Sequence, residues 1–480
     1  MDELNGFTGF SRKKPGFVSA KDAMADHEYR AAREKMMQSP EAARRHEAAL
    51  RERQAQAMRR TLESEKFGPA AKIPLSPVLD FITRDENDGA FFDQEKLKTI
   101  APTDRHWAWR EIDLGAIRHN VSEIRRRLRN GTHLMAVVKA DAYGHGAVEV
   151  AKTALNSGAD YLGVATIEEA IELREAYVNG PILVLSQPPE SAIPLLLGYN
   201  IMPAIFTPDF AIAYGEAADA LDRKAPYHLK INTGMNRIGV RHDEVLDFLH
   251  QTSFHRALDL VGTFTHFATA DCEGTLDFQI QEKRFIEALK EMHAAGFDPG
   301  IIHAANSAAI IRYPNTHFDM VRLGISLYGY YPCPETIPMI DLRPAMSVYA
   351  RISDAKLVPM SEGVSYGMNY RSTGSVKICT IPLGYADGLR RGLSGKVQFL
   401  IDGVPVRQVG NICMDQTMFE VNLRSSASRT RIDPQIGDKV VIVGQQNGAQ
   451  ATVEDMCRIL DTIPHEITIG FSQRMPRVFV

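Results

Sequence analysis

The sequence predicts an α/β fold: a (β/α)8 TIM-type barrel over residues 109–340, followed by a mostly β domain over 341–480. Three observations predict it. Short apolar runs alternate with amphipathic helical stretches, and eight such runs follow one another between residues 134 and 323. That pattern favours a parallel sheet closed into a barrel over an open one. Beyond Asp341 the helical periodicity fades, and strand-length apolar runs are separated by Gly, Pro, Asn and Asp turns. Residues 1–108, by contrast, are charged and poor in β-branched residues, which marks an N-terminal extension, disordered or partly helical.

Within the extension, residues 21–66 are rich in the good helix formers Ala, Glu, Arg, Met and Gln. Apolar residues there are too few to bury a face, so a solvated helix and tether is expected. Asp113 is placed to cap a helix beginning at Leu114. The eight barrel strands are expected at 134–138, 161–165, 182–186, 201–206, 227–231, 260–265, 301–303 and 318–323. Helices are expected between them, among others at 146–155, 167–177, 243–249 and 278–295. The second domain should carry strands at 348–357, 376–382, 396–401, 404–408, 417–421 and 439–443, with a late helix at 452–460.

The 480 residues are 44% hydrophobic and 24% charged, an ordinary composition with ample core. A formal net charge of −4 excludes a general attraction to nucleic acid or anionic membrane. No run approaches the roughly 18 apolar residues of a membrane span. The five cysteines, at 272, 333, 379, 413 and 457, form no CxxC pair, and no metal site is expected. Their odd, sparse count fits reduced thiols, and the first thirty residues lack the apolar stretch of a signal peptide. A soluble, cytoplasmic protein is expected.

In such a barrel the active site lies where the strands end. Lys139 follows the first strand, Arg237 lies shortly after the fifth, and His266 follows the sixth. Ser307 comes just after the seventh, while Arg322 and Gly324 lie at the end of the eighth. Lys139 stands in Ala136-Val-Val-Lys-Ala-Asp-Ala-Tyr-Gly-His-Gly146. Desolvation at the end of an apolar strand lowers a lysine's pKa and favours the neutral, nucleophilic amine. Taken by itself, such a lysine is more often a snorkelling strand end. Gly144 and Gly146 let backbone approach a ligand, and the Tyr143 hydroxyl can reach a phosphate.

The run around Lys139 closely resembles the pyridoxal-phosphate attachment motif of bacterial alanine racemases. The resemblance extends from about residue 110 to 480. It continues through His228-Leu-Lys-Ile-Asn-Thr-Gly-Met-Asn-Arg237, Thr265-His-Phe-Ala-Thr-Ala-Asp271, His303-Ala-Ala-Asn-Ser307 and Val321-Arg-Leu-Gly-Ile325. Gly363-Val-Ser-Tyr-Gly367, Gly384-Tyr-Ala-Asp-Gly388 and Asn411-Ile-Cys-Met-Asp415 carry it into the second domain.

The resemblance implies interconversion of L-alanine and D-alanine with pyridoxal 5'-phosphate, by a two-base mechanism that supplies D-alanine for peptidoglycan. It implies a homodimer in which each barrel mouth is completed by the partner's β domain. Lys139 and Tyr366 would be the two bases, Lys139 acting on the D-enantiomer and Tyr366 on the L-enantiomer. His266 would bond the tyrosine, and Arg322, supported by His303, would face the cofactor's pyridine nitrogen. Tyr143, Asn306, Ser307, Gly324 and Ile325 would hold the cofactor, the phosphate resting on Tyr143, Ser307 and the N–H groups of Gly324 and Ile325. Arg237 and Met414 would hold the substrate carboxylate, with Asp415 beside them and Tyr385 narrowing the entrance. Lys230 matches a lysine carbamylated in many members. Asn232, often aspartate in the family, and Gln473, in place of a phosphate-holding tyrosine, depart from the pattern. The competing readings are a serine or broader amino-acid racemase, a decarboxylase on the same scaffold, and a non-catalytic cofactor-binding protein. Arg322, where decarboxylases place an acid, and Tyr366 argue against the last two.

Overall fold

In a computed structural model of the chain, the structure describes residues 82–85, 89–92, 96, 98–422 and 432–480. The helix expected over 21–66 lies outside them. The chain divides into Met1–Leu97 and Lys98–Val480. In the first unit an antiparallel hairpin pairs Ile82–Asp85 with Gly89–Phe92. All that follows concerns the second.

Eight parallel strands close on themselves. They are β1 (His133–Val137), β2 (Tyr161–Val164), β3 (Ile182–Val184), β4 (Met202–Ile205), β5 (Ala225–Asn232), β6 (Leu258–Phe264), β7 (Ile301–His303) and β8 (Met320–Leu323). Closure is made by β8 on β1, where Arg322 pairs with Met135. Each strand lies within about two residues of its expected place. Met135, Leu183, Ala204, Phe264 and Met320 form one small cluster drawn from β1, β3, β4, β6 and β8, as only a filled barrel interior allows. Outside, helices such as Ala147–Asn156 bury an apolar stripe (Val150, Ala151 and Ala154) against the strands. Asp113 does cap the helix Leu114–Arg125, accepting from Ala116 N at 2.9 Å.

The second domain is built on a ten-stranded sheet. The single strand expected over 348–357 is two, Met346–Arg351 and Asp354–Val358. The break follows from a change of partner. The first half pairs with Lys439–Gln446 and Ala108–Ile112, the second with Val376–Ile381. The late helix appears as Val453–Leu460, capped by Thr452 in a capping box with Asp455. A further helix, Pro464–Gly470, and a last strand, Arg477–Phe479, follow it.

The strand Ala108–Ile112 belongs to this sheet and not to the barrel, lying between Met346–Arg351 and Arg477–Phe479. It carries a buried arginine. Arg110 Nη1 donates to Gly144 O and Phe471 O, both at 3.0 Å, and Nη2 to Met475 O at 3.1 Å. The segment after β1 is thereby tied to the C-terminal segment. Burial, reinforced by the nearby Arg477, pulls the Arg110 pKa down to about 10, so it stays a cation at neutral pH. Arg110→Met would leave three carbonyls without this donor, and the expected loss is about 3 kcal/mol of stability. A denaturant midpoint unchanged from the parent would show that nothing depends on the tie. Among the described residues, no helix is long and apolar enough to cross a membrane.

Candidate active site

The residues that end the barrel strands line one cavity of about 600 Å³. Lys139, Tyr143, Lys230, Arg237, His266, Asn306, Ser307, Arg322, Gly324 and Ile325 all contribute to its wall. His303 lies behind it, wholly buried.

Lys139 opens an unusual stretch of backbone. Ala140, Asp141, Ala142 and Tyr143 have φ of 51–54°, four consecutive non-glycine residues in the left-handed region. Each such residue costs about 1 kcal/mol, so the segment must be held from outside. Glu169 accepts from Ala140 N at 2.6 Å, and Asp141 accepts from Ala147 N at 2.9 Å while pairing with Arg477. Gly144 continues the turn at φ 83°, where a Cβ would meet Thr468 O at 2.6 Å. Glycine is required there on both counts. The Lys139 side chain itself makes no hydrogen bond or ion pair among the described residues. Burial holds its pKa below the usual value, Arg237 adds to that, and Glu169 opposes it.

Opposite lies a cradle of small groups. Gly324 N donates to Ser307 Oγ at 3.0 Å and Ser326 N approaches the same oxygen at 3.4 Å. A Cβ on Gly324 would stand 3.2 Å from the Tyr143 hydroxyl and 3.7 Å from Ser307 Oγ. Asn306 caps the helix Ser307–Arg312, accepting from Ala309 N at 3.1 Å. Burial raises the Tyr143 pKa to about 12, so its hydroxyl stays a donor.

Arg322 is fixed on both terminal nitrogens. Nη1 donates to His303 Nδ1 at 3.0 Å, and Nη2 to Thr265 O, Ala304 O and His266 Nδ1 at 2.7, 2.9 and 3.2 Å. Nε makes no hydrogen bond among the described residues. Burial and Arg237 lower the Arg322 pKa to about 9, leaving it charged at neutral pH. Arg322 and Lys230 both approach the Phe264 ring, at 5.3 and 5.1 Å from its centroid. Lys230 Nζ donates to Ile231 O at 3.1 Å, and burial, then Arg322 and Arg237, drive its pKa well down. His266 is neutral for the same reasons, burial first and then Arg322. Asn232 shapes the turn that carries Arg237, its Oδ1 accepting from Gly234 N at 3.1 Å and Asn236 N at 3.0 Å.

Tyr366 is not in this cavity. It is 75% exposed and lines a separate groove of about 870 Å³ on the β domain. Asn411 Nδ2 donates to Tyr366 O at 2.7 Å, joining its turn to the loop that bears Met414. The loop at 384–388 is bound to the same platform, with Ala386 N donating to Met414 O and Tyr385 N to Cys413 O, both at 3.0 Å. Met414 and Tyr385 are exposed, and Asp415 pairs with Arg474 at 2.7 Å. Gln473 is exposed too.

Two contributors escaped sequence reading. Glu169 lies on the helix Ile167–Glu175 and reaches back to the Lys139 segment. His465 lies in the cavity wall with its ring 5.4 Å from that of Tyr143 and its Nδ1 buried without a hydrogen-bond partner among the described residues. It stands 326 residues from Lys139, and no local pattern marks it.

Comparison with known proteins places the chain beside one group. Family models described as the N-terminal and C-terminal domains of alanine racemase match residues 112–332 and 345–479. An alanine racemase of Synechocystis sp. is 40% identical over 378 residues, which is 78% of this chain and all of that protein. The solved alanine racemase of Bacillus anthracis with bound L-Ala-P is 36% identical, with a TM-score of 0.72 over 78% of this chain and 95% of its own. That of Bartonella henselae, with covalently bound pyridoxal phosphate, is 26% identical, with a TM-score of 0.69 over 78% of this chain and 99% of its own.

Proposed function

The chain belongs to the alanine racemase family, and from that premise we propose that Lys139 and Tyr366 are its two proton-transfer groups, with Lys139 also the attachment point for pyridoxal 5'-phosphate. The reaction is the interconversion of L-alanine and D-alanine. The observation that carries the assignment is Lys139: a desolvated amine with no hydrogen bond among the described residues, in a cavity that also holds the cradle of Tyr143, Ser307 and Gly324 and a fixed guanidinium.

The residues present fit the cofactor. A methyl on Gly324 would fill the space between Tyr143 and Ser307, which supports phosphate binding there by Tyr143, Ser307 and the N–H groups of Gly324 and Ile325. Asn306 orders the helix start behind that cradle. Arg322, with both terminal nitrogens already engaged, has Nε left to face the pyridine nitrogen. When bound, the cofactor supplies an electron sink for the pair left behind as the Cα proton departs.

The chain's own residues place and move that proton. Lys139 Nζ takes or returns the proton on one face of Cα, the face belonging to D-alanine. Tyr366 of the partner subunit serves the other, since in its own chain it lies outside the cavity. Arg322 donates to His266 Nδ1, so His266 carries its proton on Nε2 and can donate to that tyrosine's oxygen. This stabilises the phenolate a tyrosine base requires. Arg237 and the backbone of Met414 of the partner subunit hold the carboxylate, with Tyr385 and Asp415 shaping the entrance. Burial and the two arginines lower the Lys230 pKa and so favour the neutral amine that takes up carbon dioxide, which supports its carbamylation. The working unit is a cytoplasmic homodimer that supplies D-alanine for peptidoglycan.

Following D-alanine formation from L-alanine with the purified holoenzyme tests the activity, and serine, lysine and arginine run in parallel define its range. No interconversion by cofactor-loaded protein would overturn the reading. Gly324→Ala is expected to weaken cofactor binding by about ten-fold, the equivalent of one charge-assisted hydrogen bond. Cofactor titration followed by absorbance measures it.

A further inference from the structure

Behind the cavity, β5, β7 and β8 bring two histidines into line with Arg322. His228 Nδ1 lies 2.9 Å from His303 Nε2, and His303 Nδ1 lies 3.0 Å from Arg322 Nη1. Both rings are wholly buried. A guanidinium has only donors, so the direction of every bond in this chain is determined. Arg322 donates to His303 Nδ1, which must therefore be unprotonated. His303 then carries its hydrogen on Nε2 and donates to His228 Nδ1. His228 in turn carries its hydrogen on Nε2.

That last atom is buried and has no hydrogen-bond partner among the described residues. An orphaned buried N–H is destabilising, and an apolar residue of similar size would avoid it. The surroundings are nonetheless shaped to receive this ring. On β6 the pairing register with β5 shifts between Leu260 and Gly262, and a Cβ on Gly262 would stand 2.4 Å from His228 Nδ1. Only glycine leaves room for the imidazole at that point. Phe264 stacks flat on His303, 4.7 Å between centroids and 6° between planes, so the middle ring cannot turn freely.

We infer that His228 is a positioning residue: its Nδ1 is the acceptor that fixes the tautomer of His303, which then presents a lone pair to Arg322 and fixes the guanidinium's orientation. Without that acceptor, the Nε2 hydrogen of His303 would be buried unpaired and only the bond from Arg322 would favour this tautomer. Its other tautomer would set an N–H against an N–H of Arg322 and turn the guanidinium. The consequence for the cofactor rests on the reading above that Arg322 faces the pyridine nitrogen; the tautomer chain does not.

Nitrogen-15 magic-angle-spinning spectra of histidine-labelled holoenzyme test the inference without any substitution. His228 and His303 are expected as neutral rings with hydrogen on Nε2, and His303 with hydrogen on Nδ1, or doubly protonated, would overturn it. His228→Leu is then expected to mix the His303 tautomers and to lower kcat/KM and cofactor affinity, each by about ten-fold. His228→Asn, whose Oδ1 stands in for Nδ1, should restore the single tautomer and most of both. A His303 tautomer unchanged in the leucine variant overturns the inference as well. If the tautomers mix but cofactor affinity and absorbance do not change, His228 keeps its role and the Arg322–cofactor reading fails.

Discussion

Lys139→Ala is expected to abolish racemisation, with a loss of at least about 10³-fold, because on the proposed roles it removes the cofactor's covalent anchor and one of the two proton carriers together. The fold should survive. The left-handed segment from Ala140 to Tyr143 is held by Glu169, Asp141 and Arg110, and none of these ties passes through the lysine side chain. In the cofactor-free chain the change should even relieve a penalty. The folded state binds the Lys139 proton less tightly than the unfolded state does, since burial and Arg237 lower its pKa. Between the lowered pKa and the ordinary lysine value the unfolded chain therefore holds more protons, and stability rises with pH across that interval. Removing the amine removes that slope and leaves the variant at least as stable at neutral pH. Borohydride trapping followed by mass spectrometry reads the anchor directly. A Lys139→Ala protein that still acquires a covalent cofactor adduct would show that another lysine carries it.

How much of this was legible follows from what is local. The eight barrel strands announce themselves because each is a short apolar run buried on both faces, bounded by turn residues. Residues at strand ends, such as Lys139, Arg237, His266 and Arg322, could be gathered on paper once the barrel was assumed. What stayed hidden depends on pairing between distant segments. Ala108–Ile112 has the pattern of any short strand, and nothing in it says that it sits between Met346–Arg351 and Arg477–Phe479. Arg110 therefore gave no sign of its three carbonyl partners. In sequence Glu169 is one more first-turn acid of a helix, and its carboxylate does close a capping box with Thr166, yet its other oxygen holds Ala140. The break at Ile352 was invisible for the same reason, since the two halves of that run differ in partner and not in composition. Asn232 shows the reverse. It stood out as a departure from the family pattern, and only the turn geometry gives it a task.

Whether two chains share a site is settled by mixing two inactive variants. Tyr366→Phe removes the phenol oxygen and is expected to cut racemisation by about 10²–10⁴-fold, while the cofactor absorbance of each subunit remains. Mixed with Lys139→Ala under conditions that exchange subunits, it gives heterodimers in which one site combines Lys139 from one chain with Tyr366 from the other. The second site in each heterodimer lacks both. Random exchange places one intact site in half of the dimers, so activity should return to roughly a quarter of the parent's. If Tyr366 served the cavity of its own chain, every site in the mixture would lack one base and no activity would return. The geometry makes the first outcome the expected one. Tyr366 is 75% exposed on a turn bound by Asn411 to the Met414 loop, in a groove that shares no lining residue with the Lys139 cavity. A side chain exposed to that degree in one chain can be desolvated only when another surface covers it, and in the proposed dimer the mouth of a second barrel would be that surface and would give it a proton to move.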